Sequence, residues 1–360
     1  MAIFHVAKNG DNKNDLVIVY HDDTGEIQKT YLRLFSLSQT NELVKYGEIP
    51  LDSAITTISG IQSDVVTGGA EKYTRLFIDC QKSEKTIFTF SGNQTYSPQN
   101  YNNTYPNKEI TMATAIAYSD NIYAVKTHLF LGGEALINTA RRVGITAKLE
   151  NIPSLPLGTN EINIIEMVSG YASFANLGYK IKPHLIEKIE DLDGNVLYEC
   201  NHDKELVLNP SLVFILNNML TCTYNTNFID YNYPTAISLA SKLKHTYSLK
   251  SGTTKGDNWN IGYNSKVVCA VWVGYDDNKE LTTKDYKHSQ NIWYKTVEDY
   301  EKDFSNEDAW YIKPDNVIGM LVEPISGKPA TNSENAKLMY FLKGTEPKDT
   351  DATFDEILNN

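Results

Sequence analysis

The first hundred residues show an uneven pattern of apolar and polar positions. Residues 15–28 contain a short apolar run, an Asp-Asp-Thr-Gly turn and a second extended piece, which together predict a β-hairpin. Over residues 31–44 the apolar positions recur at helical spacing with polar interruptions, and this pattern predicts a helix. Residues 50–108 are polar and rich in Gly, Ser, Thr and Asn, so we expect a loop-rich segment or small inserted lobe, with short strands near 74–78 and 86–90.

The rest of the chain alternates between helical and extended patterns. Residues 111–143 carry the strongest helical signal, and the Gly132-Gly133 pair is expected to divide it into two helices. Further helices are predicted at 163–176, 211–221 and 291–303, and strands at 183–191, 195–199, 246–250, 259–263 and 267–275. Because helices come first and antiparallel strands later, with an N-terminal hairpin available to join the sheet, the order predicts an α+β fold.

The composition and net charge of the chain bear on which partners it can bind. The 360 residues allow one large domain or two, and 33 basic against 45 acidic side chains give a net charge of −12. A phosphate backbone or an anionic membrane surface selects the opposite charge, so we expect no nucleic-acid partner. No apolar run reaches the ~18 residues of a spanning helix, and the N-terminus lacks the layout of a signal peptide, so no membrane segment is expected in this chain.

Cysteine and histidine positions indicate no metal site. The cysteines are scattered, which predicts free, mostly buried thiols: Cys80, Cys200, Cys222 and Cys269. The histidines include no HExxH motif and no metal-like cluster, so we expect ordinary surface or core residues: His5, His21, His128, His184, His202, His245 and His288. No Gly-rich phosphate loop is visible, and no cofactor is implied.

Two short motifs carry the candidate chemistry. Ser119-Asp120-Asn121 lies in the strongest helical stretch, where a hydroxyl and an amide would relay a proton and hold a substrate amide. Lys250-Ser251-Gly252-Thr253-Thr254 follows an apolar strand and offers a positive charge and hydroxyls to a carboxylate. The absence of a side chain at Gly252 leaves room for a peptide along the strand edge. Each motif alone is weak, since such short strings also occur as caps and turns.

Four segments, which contain these motifs or follow them, point to the same protein family. They are residues 96–126, 155–199 and 249–278 and the C-terminal stretch 317–347. Together they resemble the transpeptidase domain of penicillin-binding proteins, of the class A-like type found in Gram-positive bacteria. The resemblance implies the transpeptidase and serine β-lactamase-like α+β fold, in which helices flank an antiparallel sheet and a helical subdomain is present. It also implies one transpeptidase-like domain over residues 1–345, divergent over 1–95, and a tail at 346–360.

In that family a serine within an SxxK motif attacks the penultimate D-Ala carbonyl of a cell-wall stem peptide. By resemblance, Ser119 and Asn121 are catalytic residues that help proton transfer and hold the substrate amide. Lys250 is the third catalytic residue, and the residues after it bind the substrate carboxylate: Ser251, Gly252, Thr253 and Thr254. The implied partners are the stem peptide or a β-lactam and other cell-wall synthesis proteins, on the extracellular face of the cytoplasmic membrane.

The nucleophile of the family is not found. The family places it near residue 60, yet no lysine stands at the fourth position after Ser53, Ser59 or Ser63. The only SxxK string begins at Ser241 and ends at Lys244, shortly before the motif that starts at Lys250, and we expect it to be a coincidence.

Two other placements of the nucleophile segment stay open. In one, Glu26 and Lys29 occupy the serine and lysine positions; in the other, the predicted helix is the relic of the nucleophile helix, with Arg33 and Ser36 near the key positions. The Ser/Lys pair is missing in both. We therefore expect a catalytically degenerate transpeptidase that binds stem peptide or penicillin. The alternative is an active serine D,D-transpeptidase whose nucleophile segment is misplaced or truncated, while the long C-terminal stretch disfavours a β-lactamase.

Overall fold

The structure is a computed structural model that describes ten stretches of the chain. They are residues 2–7, 14–22, 29–37, 43–51, 57–64, 73–90, 94–282, 285–304, 309–330 and 336–347, with the backbone alone before residue 81. The chain divides into two compact units. The first contains residues 1–133, 227–233 and 317–360, and the second contains residues 134–226 and 234–316.

The N-terminal part of the first unit is a four-stranded antiparallel sheet in sequence order. Its strands are β1 (Ala2–Ala7), β2 (Asn14–Asp22), β3 (Lys29–Leu37) and β4 (Leu43–Leu51). Strand β2 confirms the first strand of the predicted hairpin and pairs with β3, which begins one residue after the predicted hairpin ends; residues 23–28, with the predicted second piece, lie outside the described residues.

The helix predicted over residues 31–44 is wrong, because the structure has β3 and the start of β4 there. Leu32 and Leu34 stand at alternate positions, so they also fit the period of a strand, and β-forming Thr and Tyr precede them. Pairing with β2 and β4 decides between the two periods. Arg33 and Ser36 therefore lie on a strand, so the proposed relic of a nucleophile helix is also wrong.

Two further groups of strands follow in the first unit. Strands β5 (Thr57–Asp64), β6 (Tyr73–Ser83) and β9 (Lys108–Thr111) form a three-stranded antiparallel sheet, while β7 (Phe88–Thr89) pairs with β8 (Thr95–Tyr96). The strands predicted near 74–78 and 86–90 are thus confirmed. The segment 50–108 contains more strand than expected, since β4 ends and β5 lies within it.

The predicted helical stretch is confirmed with one more break than expected. It consists of α1 (Met112–Tyr118), α2 (Asn121–Leu131) and α3 (Gly133–Arg142). The expected interruption occurs at Gly132, and a second one occurs at Ser119. In the first unit, Ile110, Ala115 and Tyr123 form a buried apolar cluster.

The second unit is built on a three-stranded antiparallel sheet with helices on both faces. Its strands are β14 (Ser248–Thr253), β15 (Asp257–Tyr263) and β16 (Val268–Gly274), and its main helices are α4 (Ile164–Ala175), α5 (Pro210–Leu220) and α6 (His288–Phe304). All of these confirm predicted elements within a few residues.

The two faces of this sheet carry different helices. On one face, Trp293 of α6 donates from Nε1 to the carbonyl oxygen of Cys269 at 3.1 Å. On the other face, Tyr171 of α4 makes an edge-to-face contact with Tyr263, with ring centroids 6.0 Å apart. The arrangement confirms the expected α+β fold with helices flanking an antiparallel sheet.

A thin β-ribbon also belongs to the second unit. Strand β10 (Tyr179–Ile181) pairs with β13 (Lys204–Leu206), and β11 (Lys188–Glu190) pairs with β12 (Val196–Glu199). The strand predicted over 183–191 is therefore limited to its last part, because residues 182–187 form a connection between the two ladders. Strands β17 (Val317–Val322) and β18 (Lys337–Leu342) pair in the first unit. Within the part of the chain that the structure describes, no helix has both the length and the apolar character to cross a membrane.

Candidate functional site

The first motif forms the break between α1 and α2. Ser119 ends α1 in the left-handed conformation, with φ 56° and ψ 51°, and its backbone N–H still donates to carbonyl groups of that helix. Asp120 then begins α2 as its N-cap, accepting from the backbone N–H of Tyr123 at 2.8 Å. The reversal of backbone conformation takes Ser119 out of the helical pattern, and its side chain is half-buried.

Asp120 is the buried anchor of this break, with 5% of its surface exposed. Besides capping α2, its carboxylate accepts from Ser83 Oγ at 2.6 Å and from Asn100 Nδ2 at 2.7 Å. Asn100 in turn accepts at Oδ1 from the backbone N–H of Asn121 at 2.9 Å. Sequence reasoning singled out the two residues beside Asp120 and missed Asp120 itself, although its place before a helix was an N-cap signal.

Asn121 and the following turns of α2 are tied to the preceding strands. The Asn121 side chain donates from Nδ2 to the carbonyl oxygen of Gln99 at 2.7 Å. Buried Lys126 donates from Nζ to the carbonyl oxygen of Lys82 at 2.9 Å. These bonds fix the position of the first motif against the end of β6.

Lys250 lies on the face of the central sheet that α4 covers, opposite Ile261 in the β14–β15 register. Its Nζ donates to the carbonyl oxygen of Ser251 at 2.6 Å. Lys250 is half-buried, and the loss of water around its ammonium group lowers the pKa of Lys250 to about 8. This cation is therefore poorly solvated, a state in which an anionic ligand is a favourable partner.

The residues after Lys250 form the accessible end of an edge strand. Gly252, Thr253 and Thr254 are exposed, and Ser251 is half-buried. Among the described residues no strand pairs with the outer side of β14. A Cβ atom at Gly252 would meet only Trp259 Cβ, at 3.6 Å, so the strand edge is open there. Such an edge is suited to the addition of an extended peptide.

The two threonines are held by neighbouring side chains. Thr253 Oγ1 accepts from Asn258 Nδ2 at 3.2 Å, and Thr254 Oγ1 donates to Asp257 Oδ2 at 2.9 Å. Asp257 also accepts from Trp272 Nε1 at 2.8 Å. The turn after β14 is thereby fixed by polar contacts.

A buried polar network fixes the start of the motif strand. Ser248 Oγ donates to the backbone carbonyl of Asn217 at 2.9 Å, and Tyr263 Oη donates to Asn217 Oδ1 at 2.8 Å. Asn217 Nδ2 donates to the carbonyl oxygen of Phe174 at 3.0 Å. Asn217 therefore joins α4, α5 and the sheet, a role for which its sequence gave no signal.

The structure brings together the residues within each motif. Ser119 and Asn121 belong to the first unit, and Lys250 with the four residues that follow it belongs to the second. Because the two motifs lie in different units, their joint action stays a prediction.

The expected nucleophile segment is only partly described. Ser59 and Ser63 lie on β5, where the side chains are not described, and Ser53 and Glu26 lie outside the described residues. Ser241 and Lys244 are both exposed and lie outside any regular helix. They lack the helical geometry that an SxxK motif requires to place both groups on one face.

One set of potential metal ligands lies together in the second unit. The ligand atoms of His184, Cys200 and His202 all lie within 4.8 Å of one another. The sequence contains no sign of this cluster, because ribbon pairing joins residues that are distant in sequence, and the expectation of no metal site stays a prediction. Of the cysteines whose side chains are described, all are free thiols as expected; Cys222 is buried, and Cys200 and Cys269 are half-buried.

Comparison with protein families gives two matches. The penicillin binding protein transpeptidase domain matches residues 79–298, and the C-terminal domain of penicillin-binding protein 1A matches residues 313–356. Penicillin-binding protein 2D of Bacillus subtilis is 42% identical over 273 residues, covering 75% of this chain and 39% of that protein. Penicillin-binding protein 1A of Aquifex aeolicus is 31% identical over 345 residues, covering 93% of this chain and 44% of that protein. The chain thus spans less than half the length of either relative.

A solved structure shares the fold. The crystal structure of penicillin-binding protein 1A from Haemophilus influenzae aligns with a TM-score of 0.67 at 21% identity. The alignment covers 75% of this chain and 45% of that one.

Proposed function

Because the chain belongs to the penicillin-binding protein transpeptidase family, of the 1A-like class A type, we propose that it binds the D-Ala-D-Ala end of the peptidoglycan stem peptide, or a β-lactam, without forming an acyl-enzyme. The observation that carries the proposal is the pairing of a poorly solvated cation, Lys250, with the open edge of β14. A stem peptide ends in a carboxylate and has a backbone able to pair with a strand edge.

Lys250 and the residues after it are assigned to binding. The ammonium group of Lys250 binds the terminal carboxylate, and the hydroxyls of Ser251, Thr253 and Thr254 complete the recognition. A hydrogen bond to a charged group contributes about 1.5–3 kcal/mol. Gly252 leaves the strand edge accessible to the peptide backbone.

Ser119 and Asn121 are assigned to the substrate amide. In an active relative the equivalent serine and asparagine assist proton transfer and hold the amide next to the reacting bond. In this chain the asparagine amide is positioned by Gln99 and the serine by the helix break, so both are fixed before a ligand arrives. We assign them to binding of the substrate amide here.

The proposal of degeneracy rests on the missing Ser/Lys pair. The only SxxK string is Ser241–Lys244, and it is exposed outside a helix. In serine enzymes, loss of the nucleophile removes nearly all of the chemistry, and what remains is binding and electrostatic stabilisation. The chain then acts at the extracellular face of the cytoplasmic membrane as a peptide-binding partner of other cell-wall synthesis proteins.

Equilibrium binding tests the proposed ligand. Isothermal titration with benzylpenicillin and with a stem pentapeptide ending in D-Ala-D-Ala should give dissociation constants on the order of 1 mM. Lys250→Met should weaken both by about tenfold or more, because the carboxylate loses its charged partner. Lys244→Met, which removes an exposed lysine outside the motif, should leave both unchanged. Equal affinity in wild type and Lys250→Met would overturn the proposal.

A further inference from the structure

The β-ribbon of the second unit has a gap in its pairing. The ladder of β10 with β13 ends at Ile181 and Lys204, and the ladder of β11 with β12 begins at Lys188 and Glu199. Residues 182–187 and 200–203 therefore run beside each other as connections. A backbone hydrogen bond from the N–H of Cys200 to the carbonyl oxygen of Glu187, at 2.7 Å, holds them together.

Side chains from both connections converge at this gap. His184 Nε2 lies 2.8 Å from Glu187 Oε1, and His202 Nε2 lies 3.1 Å from Glu187 Oε2. The two imidazole rings meet edge to face, with centroids 5.2 Å apart. Cys200 directly follows β12 and stands two residues before His202, and its Sγ lies within 4.8 Å of the ligand nitrogens of both histidines.

We propose that His184, Cys200 and His202 bind a zinc ion, with a water molecule in the fourth coordination position. Two imidazoles and a thiolate form a donor set that zinc prefers, and three protein ligands leave one position open. In a tetrahedral site the ligand atoms are roughly 3.3–3.8 Å apart, since Zn–N is ~2.0–2.1 Å and Zn–S is ~2.3 Å. The three atoms are already within 4.8 Å, so small side-chain rotations close the site.

The surroundings are suited to a cation. Glu187 places a carboxylate against both imidazoles, which orients the rings and contributes negative charge beside the ion. Cys200 loses its thiol proton to solvent on binding, and the thiolate with one divalent ion and the Glu187 carboxylate leaves no net charge. His202 is 59% exposed and His184 is 23% exposed at the side chain, so an ion reaches the site from solvent.

Zinc binding would tie two segments that otherwise share few contacts. The ribbon carries exposed apolar side chains and no residue of β11 or β12 is buried, so packing contributes little to its stability. A metal held by one ligand from the first connection and two from the second acts as a cross-link between them. The ion therefore stabilises the ribbon, independently of the ligand proposed for Lys250.

Cobalt is the probe for this site because its spectrum reports the ligands. Untagged, chelator-treated protein titrated with Co²⁺ should take up one equivalent, with visible d–d bands of a tetrahedral site and a near-ultraviolet thiolate charge-transfer band. Added Zn²⁺ should bleach both, and Zn²⁺ should raise the midpoint of thermal unfolding. Cys200→Ser should remove the charge-transfer band and the thermal shift, and Glu187→Gln should weaken Co²⁺ binding about tenfold or more.

The matched control is Cys269→Ser, which removes another half-buried free thiol. It should keep the charge-transfer band and the thermal shift. The proposal is overturned if wild type shows no charge-transfer band, if the band survives Cys200→Ser, or if His184→Ala and His202→Ala bind Co²⁺ like wild type. Without metal, Cys200→Ser should unfold at the same temperature as wild type, which separates loss of the ion from misfolding.

Discussion

At the scale of single residues, Asp120 determines how the first motif is built. One helix ends at Ser119 and the next begins at Asn121. Between them, the buried carboxylate of Asp120 accepts hydrogen bonds from the Ser83 hydroxyl, the Asn100 amide and the backbone N–H of Tyr123. An aspartate in a continuous helix would find no such donors. The positions of Ser119 and Asn121 therefore depend on the residue between them.

Replacement of Asp120 by alanine should lower the free energy of unfolding by about 3 kcal/mol. It removes an N-cap and leaves the donors of Ser83 and Asn100 without their charged acceptor. Urea denaturation measures the loss. Asp276→Ala, at an exposed position, is the control and should change stability by less than about 0.5 kcal/mol. Equal, small effects of the two substitutions would show that Asp120 does not anchor the break.

The lowered pKa of Lys250 predicts a pH dependence of ligand binding. With a pKa of about 8, the protonated fraction falls from about nine tenths at pH 7 to about one tenth at pH 9. Penicillin affinity should therefore fall about tenfold over that range, measured by titration at constant ionic strength. Lys250→Arg stays charged and should show a flat profile. A flat wild-type profile would contradict the assignment of Lys250 to the carboxylate.

The lowered pKa of Lys250 also predicts how the free energy of unfolding changes with pH. The folded-state pKa lies below the unfolded value of about 10.4, so the unfolded chain binds more protons between pH 8 and that value. The contribution of Lys250 to the free energy of unfolding should rise with pH through this window.

At the scale of elements, the central sheet and α6 depend on a close approach at Gly262. A Cβ atom there would stand 2.2 Å from Trp293 Cζ2 and 2.8 Å from Leu249 Cδ1. Trp293 is fully buried, so it has no space into which to move. The absence of a side chain at one strand position thus allows α6 to cover this face of the sheet.

Gly262→Ala should destabilise the chain by about 3 kcal/mol, because the added methyl overpacks a filled core. Gly252→Ala, in the neighbouring strand of the same sheet, places its methyl at an ordinary 3.6 Å contact and should cost less than about 1 kcal/mol. Thermal or urea unfolding of the two variants and the wild type measures the stability that each substitution removes. If Gly262→Ala is as stable as Gly252→Ala, α6 does not pack as described.

At the scale of the whole molecule, the sequence predicted an element correctly where the apolar residues followed one spacing, either that of a helix or that of a strand. The prediction failed where the apolar residues fitted both spacings. The helices between residues 111 and 304 and the three strands of the central sheet follow strong patterns and were confirmed, whereas the strand predicted over 183–191 is limited to Lys188–Glu190. The segment at 31–44 fitted helix and strand alike, and only pairing with neighbouring strands separates them. Asn217 and the His184–Cys200–His202 cluster were missed because their partners are set by tertiary contacts.

The central claim concerns what the chain does with a β-lactam. The chain contains the two motifs that we assign to binding, and the Ser/Lys pair that would make the covalent bond is not found in the sequence. Binding without acylation is therefore the expected behaviour of the whole chain.

Intact mass spectrometry after incubation with benzylpenicillin tests this claim most directly. We predict no stable mass increase, under conditions in which titration detects weak binding that is sensitive to Lys250→Met. A drug-sized adduct mapped to any serine would contradict the account and identify the nucleophile. Loss of that adduct in Lys250→Ala would then assign Lys250 to an active transpeptidase site.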